Sequence, residues 1–159
     1  MRFAVPSPTA KDPNKKGFTM KTLYTAEALA TGDGRNGHGR TTDGKVDVDL
    51  TAPKEMGGSG DGTNPEQLFA VGYAACYHSA LRLVAKSDDV DITDSSVGAQ
   101  VSIGPNDAGG FELAVVLEVT LPNVEHDKAQ ALADKAHQVC PYSNATRGNI
   151  DVKITVSDD

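Results

Sequence analysis

Several stretches of this chain alternate apolar and polar residues with a period of two, and two others change to the three-and-four spacing of helices. In KVDVDLTA, residues 45–52, Val46, Val48 and Leu50 interleave with acids, which predicts a half-buried strand opened by a turn at Asp43 and Gly44. Upstream, KTLYTAEALATG from Lys21 predicts a first strand, ended by the glycine-spaced piece TGDGRNGHGR at 31–40. SSVGAQVSIGP (95–105) and GFELAVVLEVTLP (110–122) predict two long strands joined through residues 106–110 as an antiparallel hairpin. The second has a nearly continuous apolar centre and should be an interior strand. IDVKITVS, 150–157, predicts a last strand.

The longest helix expected is residues 62–86, GTNPEQLFAVGYAACYHSALRLVAK. Asn64 and Pro65 mark its start, because an Asx side chain accepts from free backbone N–H groups and proline lacks only a donor that the first turn does not use. Leu68, Phe69, Ala75, Cys76, Ser79, Ala80, Leu83 and Val84, with Tyr73 and Tyr77 between them, leave few faces without an apolar or small residue. Most sides of this helix therefore expect a neighbour, and it should lie near the middle of the fold. HDKAQALADKAHQV, 126–139, predicts a second helix with Ala129, Leu132, Ala133, Ala136 and Val139 near one face. Pro141 bars its continuation and leaves Cys140 at its end, followed by a loop YSNATRGN. PKEMGGSGDGT, 53–63, reads as a mobile loop, either a connector or a lid beside a pocket. The elements together make an α+β protein: antiparallel sheet regions around a long central helix and a second helix, in one domain over 20–159. Residues 1–19, with Pro6, Pro8, Pro13, Lys15 and Lys16, are expected to be a disordered or loosely attached extension.

Composition narrows the possible functions. A net charge of −7 argues against a nucleic-acid footprint, which needs clustered Lys and Arg. No apolar run approaches the roughly 20 residues of a membrane span, and the N-terminus lacks a secretory core, so a cytoplasmic protein is expected. A hydrophobic fraction of 38%, 16 Gly and no Trp make a lean core, which favours oligomerisation.

The candidate chemistry rests on the 2 cysteines, Cys76 and Cys140. They could be buried small hydrophobes. They could be metal ligands with His78 and His137, although residues two apart on a helix point roughly 200° away from each other, which keeps Cys76 and His78 from one ion. Or they could be a redox pair, which requires positive charge to make Cys76 a thiolate. The first turn of the helix is too far away to supply it. Arg35, Arg40 and Arg147 are the candidates, and composition does not choose among them. The glycines around Arg35 are not a phosphate loop, because no Lys-Ser/Thr pair follows and a strand comes next.

GTNPEQLFAVGYAAC at 62–76 and HQVCPYSNATRGNIDV at 137–152 resemble the organic hydroperoxide resistance branch of the Ohr/OsmC family. LYTAEALATGDGRNGHGRTTDG and PKEMGG extend the resemblance over nearly all of 21–157. It implies a cysteine-based peroxidase for organic and fatty-acid hydroperoxides, built as an intertwined homodimer with active sites at the interface. It implies no bound cofactor and an external dithiol reductant, a lipoyl group on a partner protein. Cys76 would be the peroxidatic thiolate and Cys140 the resolving thiol, with Arg35 paired to Glu66 beside Cys76 and Arg40 as the alternative arginine.

Glu66 and Cys76 are ten residues apart, about 15 Å along one helix. The expectation is therefore that Glu66 of one subunit serves Cys76 of the other. Met56, Phe69, Tyr73, Phe111 and Tyr142 are the candidates for an apolar substrate pocket, with core packing as the alternative for Phe69 and Phe111. His78 and His137 are read as structural or solvent-facing. Asn144-Ala145-Thr146 matches a glycosylation acceptor by accident. A cysteine hydrolase assisted by histidine and a metal-binding or peroxide-sensing protein are the rival functions.

Overall fold

The structure, a computed structural model, describes residues 20–157; the expected extension at 1–19 lies outside the described residues. Its elements are β1 (Ala28–Asp33), β2 (Asn36–Thr41), β3 (Asp47–Asp49), α1 (Pro65–Ser87), β4 (Ser96–Pro105), β5 (Phe111–Thr120), α2 (His126–Val139), α3 (Pro141–Thr146) and β6 (Val152–Ser157). They form two three-stranded sheets, β1-β2-β3 and β4-β5-β6. The fold is α+β, as the sequence pattern implies.

α1 begins where Asn64 and Pro65 place it. Asn64 accepts from the Gln67 N–H at 2.9 Å and the Gln67 side chain accepts from the Asn64 N–H at 3.2 Å, a reciprocal cap that satisfies two first-turn donors. One side of α1 carries the buried Tyr73, Tyr77, Ala80, Leu81, Val84 and Ala85. They pack with Val115, Leu117 and Val119 of β5 and Leu132, Ala133 and Ala136 of α2 in one core. A fully buried Leu or Val stabilises by about 1.5–3 kcal/mol relative to exposure, so this face fixes α1 on the second sheet. By length and composition alone α1 is apolar enough to cross a bilayer. Yet its other side, expected to be covered, is open in the single chain: Leu68 is 41% exposed, Val71 70% and Leu83 65%.

β5 is the middle strand, as its apolar centre requires. β4 pairs with it antiparallel, from Pro105 opposite Phe111 to Ser96 opposite Thr120. β6 runs parallel to β5, so this sheet is mixed where an antiparallel one was expected. The reason is the connection. α2 and α3 lie between β5 and β6, and a helical crossover of that length returns the chain in the same direction.

The segment after Cys140, expected to be a loop, is α3. Pro141 both ends α2 and starts α3, where its missing donor is harmless. The expected first strand from Lys21 starts only at Ala28, because β2 ends opposite that residue; Leu23 and Tyr24 are left exposed without a strand beside them. The piece expected to end this strand is instead the β1–β2 hairpin. Its two-residue turn is Gly34-Arg35, and Gly34 at φ 60° supplies the positive φ that a tight hairpin needs. Residues 53–63 contain a 3-10 turn at Lys54–Met56 and close on themselves through Gly58 N–H to Pro53 C=O at 3.0 Å.

Candidate active site: a thiol pair and an arginine pair on one helix

Cys76 sits in the middle of α1 and Cys140 at the joint of α2 and α3. Their Sγ atoms are 3.7 Å apart, with Cys140 donating. Cys140 is fully buried, and it belongs to both helices: its N–H bonds to Ala136 C=O at 2.9 Å and its Sγ accepts from Ser143 N–H at 3.5 Å. Cys76 is half-buried. Burial is the main influence on it and pushes its thiol above the ordinary value; a hydrogen bond from the Tyr142 N–H pulls it down, and Cys140 pushes it up again. None of these groups is a cation. The expectation of a nearby arginine is not met at Cys76 within this chain.

The arginine is found at the start of the same helix. Arg35 donates from both terminal nitrogens to both oxygens of Glu66, at 2.7 and 2.6 Å, a two-pronged pair. The hairpin turn puts Arg35 at its tip, and residues 50–63 tie that hairpin to the first turn of α1. Leu50 N–H bonds to Gly37 C=O at 2.9 Å, Thr51 N–H to Thr63 C=O at 2.9 Å, and Ala52 N–H to the Asn36 side chain at 3.0 Å. The Arg35 guanidinium holds the Glu66 carboxyl below the usual carboxylate range, and Glu66 in turn raises Arg35. The position of Glu66 in the first turn also suits a negative charge. The pair is half-open, with side-chain exposures of 37% for Arg35 and 13% for Glu66, so it is stable enough to orient and exposed enough to break.

The alternative arginines are committed elsewhere. Arg40 lies 3.4 Å from Asp47, and Arg147 donates to His137 C=O at 2.6 Å. His78 bonds to Ser95 Oγ at 2.9 Å, and burial, helped by Arg82, lowers its pKa. His137 is also lowered by burial, then by Arg147; its buried Nδ1 has no partner. Neither histidine is among the groups acting on Cys76. Among the described residues no three His, Cys, Asp or Glu side chains gather as metal ligands.

The five pocket candidates divide. Phe69, Tyr73 and Tyr142 form an aromatic triangle with ring centroids 5.6 to 5.9 Å apart; Tyr73, expected in the pocket, is fully buried and belongs to the core, against which Phe69 and Cys76 pack. Tyr142 crosses α1 above Gly72, where an added Cβ would lie 3.1 Å from its hydroxyl, so glycine makes room for the ring. Met56 lines an apolar groove of about 320 Å³ with Pro53, Glu66, Ala70, Val101 and Ile103. Phe111, at the hairpin end of β5 opposite Pro105, is exposed and stands outside the core cluster. A cavity of about 630 Å³ lies at the far end of α1 around Arg82, Lys86 and residues 89–93, and holds neither thiol nor Arg35. The groups sequence reasoning missed are the Tyr142 N–H on Cys76 and the hydroxyls of Ser143 and Thr146 that hold α3. A proline directly after Cys140 was their signal, as a helix start rather than a stop.

The sequence model of the OsmC-like protein family matches residues 58–155. The organic hydroperoxide resistance protein of Xanthomonas axonopodis pv. citri is 51% identical over 139 residues, covering 86% of this chain and 96% of that one. The crystal structure of an organic hydroperoxide resistance protein OsmC from Legionella pneumophila, described as a predicted redox protein, superposes with a TM-score of 0.83 at 52% identity, covering 86% of this chain and 99% of that one. That of OhrB from Bacillus subtilis gives 0.78 at 46% identity, over 86% of this chain and 100% of that one.

Proposed function

The chain belongs to the OsmC-like family and, within it, to the organic hydroperoxide resistance proteins, and on that footing we propose that it is a two-cysteine peroxidase that reduces organic and fatty-acid hydroperoxides to alcohols. The observation that supports it most is the 3.7 Å between the Cys76 and Cys140 sulfurs, a small rotation from a disulfide's ~2.05 Å. The Cys76 thiolate attacks the terminal peroxide oxygen; the O–O bond breaks, the alkoxide takes a proton and leaves as alcohol, and Cys76 becomes a sulfenic acid. The Cys140 thiol then condenses with it, releasing water and forming the Cys76–Cys140 disulfide. An external dithiol, of which a protein-bound lipoyl group is the expected form, restores both thiols by exchange.

Arg35 is the group suited to stabilising the thiolate and the charge developing on the departing oxygen. Glu66 would hold its guanidinium in plane. Since Arg35 is held at the first turn of α1 and Cys76 lies about 15 Å further on, the arginine that serves Cys76 comes from a second copy of the chain. Val71, the most exposed large apolar residue between the two poles, is also midway between residues 66 and 76 in number. An antiparallel crossing of two α1 helices about a two-fold at Val71 would set the first turn of each beside Cys76 of the other, and would cover Leu68 and Val71.

The test is steady-state reduction of cumene hydroperoxide with dihydrolipoamide. Wild type should turn over, Cys76→Ser should not, and Cys140→Ser should react once and then stall as a sulfenic or over-oxidised acid. Turnover persisting in Cys76→Ser would refute the assignment.

A further inference from the structure

α3 is six residues long, too short to persist without an outside anchor. The anchor is Tyr73. Its side chain is fully buried, and its hydroxyl lies 3.0 Å from Ser143 Oγ and 3.0 Å from Thr146 Oγ1, the residues one turn apart on the face of α3 that meets α1. The direction of these bonds follows from donor counting. Thr146 has a single hydroxyl proton, and its oxygen faces the carbonyls of Tyr142 at 3.0 Å and Ser143 at 3.2 Å, which can only accept. Thr146 therefore receives the Tyr73 proton, and Tyr73 receives that of Ser143. The phenol is the link in a one-way chain from Ser143 through Tyr73 to Thr146 and the Tyr142 carbonyl.

Both thiols hang on the two elements this chain joins. Tyr73 and Cys76 are three residues apart on α1 and so share a face. Cys140 caps α3 through the N–H of Ser143, the residue whose hydroxyl Tyr73 holds, and the neighbouring Tyr142 N–H reaches Cys76. We propose that Tyr73 is a positioning residue for the second chemical step: by pinning α3 to α1 it sets the sulfur-to-sulfur approach along which the Cys140 thiol attacks the Cys76 sulfenic acid. This rests on the peroxidase reading. The step is balanced: the Cys140 S–H and the Cys76 S–OH give one S–S bond and one water, the thiol proton leaving with the hydroxide. Tyr73 exchanges no electrons or protons with the substrate and its hydroxyl is engaged by Ser143 and Thr146 rather than by a sulfur, so removing that hydroxyl should spare the first step and slow the second.

Tyr77 provides the control. It is equally buried on the same helix, but its hydroxyl donates to Ala133 C=O of α2 at 2.6 Å and to no residue of α3. The experiment is a rapid-quench single turnover with cumene hydroperoxide on full-length wild type, Tyr73→Phe and Tyr77→Phe. Sulfenic acid is trapped with a 1,3-dione, disulfide is counted by mass, and Cys76 sulfinic acid is measured after excess peroxide.

In Tyr73→Phe, sulfenic acid should form within about twofold of the wild-type rate while disulfide forms about tenfold more slowly, as a displacement of roughly half an ångström produces, and sulfinic acid should accumulate. Tyr77→Phe should match wild type in all three. Equal slowing in Tyr77→Phe, or an unchanged disulfide rate in Tyr73→Phe, would overturn the positioning role alone. No Cys76–Cys140 disulfide in wild type would overturn the peroxidase reading and this role with it. Should Tyr73→Phe not fold, Thr146→Val against Thr146→Ser asks the same question: the hydroxyl-bearing variant should keep the rate and the isosteric valine should lose it. Two equal rates would refute the anchor.

Discussion

The middle of α1 and its first turn are finished to different standards. In the middle, both thiols are packed, hydrogen-bonded and aligned at 3.7 Å by groups of the same chain, yet burial pushes the Cys76 thiol up and no cation offsets it. At the first turn, the cation is present, oriented on Glu66 and left half-open, with no thiol beside it. One pole has the nucleophile geometry without the electrostatics and the other has the electrostatics without the nucleophile. An unbroken helix of 23 residues keeps them apart, and the exposed Leu68 and Val71 occupy the interval. On the proposed reading, a chain arranged in this way completes a thiol pair alone and a peroxidase site only when doubled.

Separating the two proposed copies should have the largest effect. Val71→Asp would bury a carboxylate at the proposed crossing, and a penalty of about 4 kcal/mol would weaken the dimer by about 10³-fold. Sedimentation should then show monomers at micromolar concentration, and hydroperoxide turnover should fall by about 100-fold or more once Arg35 no longer reaches Cys76. The thiol pole needs no partner, so diamide should still close the Cys76–Cys140 disulfide in the monomer. A dimeric Val71→Asp would place the crossing elsewhere than at Val71, and a fully active monomer would mean that the two poles do meet within one chain.

Mixing two dead variants tests whether arginine and thiol come from different chains. Arg35→Ala and Cys76→Ser should each be nearly inactive. After unfolding and refolding together, random assortment makes half the dimers mixed, and each mixed dimer has one intact site if arginine and thiol come from different chains. About a quarter of wild-type turnover should return. If both groups served within one chain, no mixed dimer would hold a complete site and nothing would return.

Much of this architecture was legible, and the parts that were not share a cause. Asn64 and Pro65 announce α1, the apolar centre of 111–120 announces a middle strand, and the face of Ala129, Leu132, Ala133 and Ala136 is buried as its spacing implies, only Val139 being left out. Local patterns carry local information. The direction of β6, the absence of a strand over residues 20–27 and the exposure of Leu68 and Val71 depend on what lies beside them, which no window of sequence contains. Pro141 was legible in only one of its two roles, since proline is excluded from helix interiors and favoured at helix starts by the same missing N–H. The thiol pair came from resemblance, and its separation from nothing in the sequence. The choice of Arg35 over Arg40 as the partner of Glu66 depends on hairpin register: Gly34 puts Arg35 at the tip facing α1, while Arg40 sits within β2 opposite Asp47.

A smaller effect is expected from the arginine pole's acid response. Glu66 has a folded pKa lowered by Arg35, so the pair is complete above the ordinary carboxylate range and is lost as pH falls through the depressed value. The acid limb of kcat/KM should therefore lie below the ordinary glutamate range in wild type. Glu66→Gln should keep the arginine but loosen it, costing about tenfold in kcat/KM at neutral pH and removing that limb. Arg35→Lys should cost more, because a single ammonium cannot reproduce the two-pronged geometry. An acid limb that survives unchanged in Glu66→Gln would assign it to another group.

The smallest effect concerns the hairpin that presents Arg35. His38 on β2 has Nε2 2.8 Å from Asp47 and Nδ1 2.9 Å from Asp49, both on β3. A neutral imidazole donates from one nitrogen only, so two carboxylate partners require the charged ring. Asp49 first, and then Asp47, raise His38 above its ordinary value, with Arg40 shared on Asp47. The sign follows from a raised folded pKa: the clamp is fully present below the unfolded value near 6.5 and is lost as pH rises through the folded one. Because the groups are exposed, the loss should be slight. His38→Gln should lower the melting temperature by about 1 to 2 °C at pH 6 and by nothing measurable at pH 9. A deficit of equal size at both pH values would mean that the ring braces β2 and β3 by packing rather than charge. Because the clamp lies three residues from Arg35 and bonds to β3 rather than to Arg35 or Glu66, His38→Gln should leave the Glu66-dependent acid limb in place; a shift in that limb would show that the hairpin and the arginine pair respond as one unit.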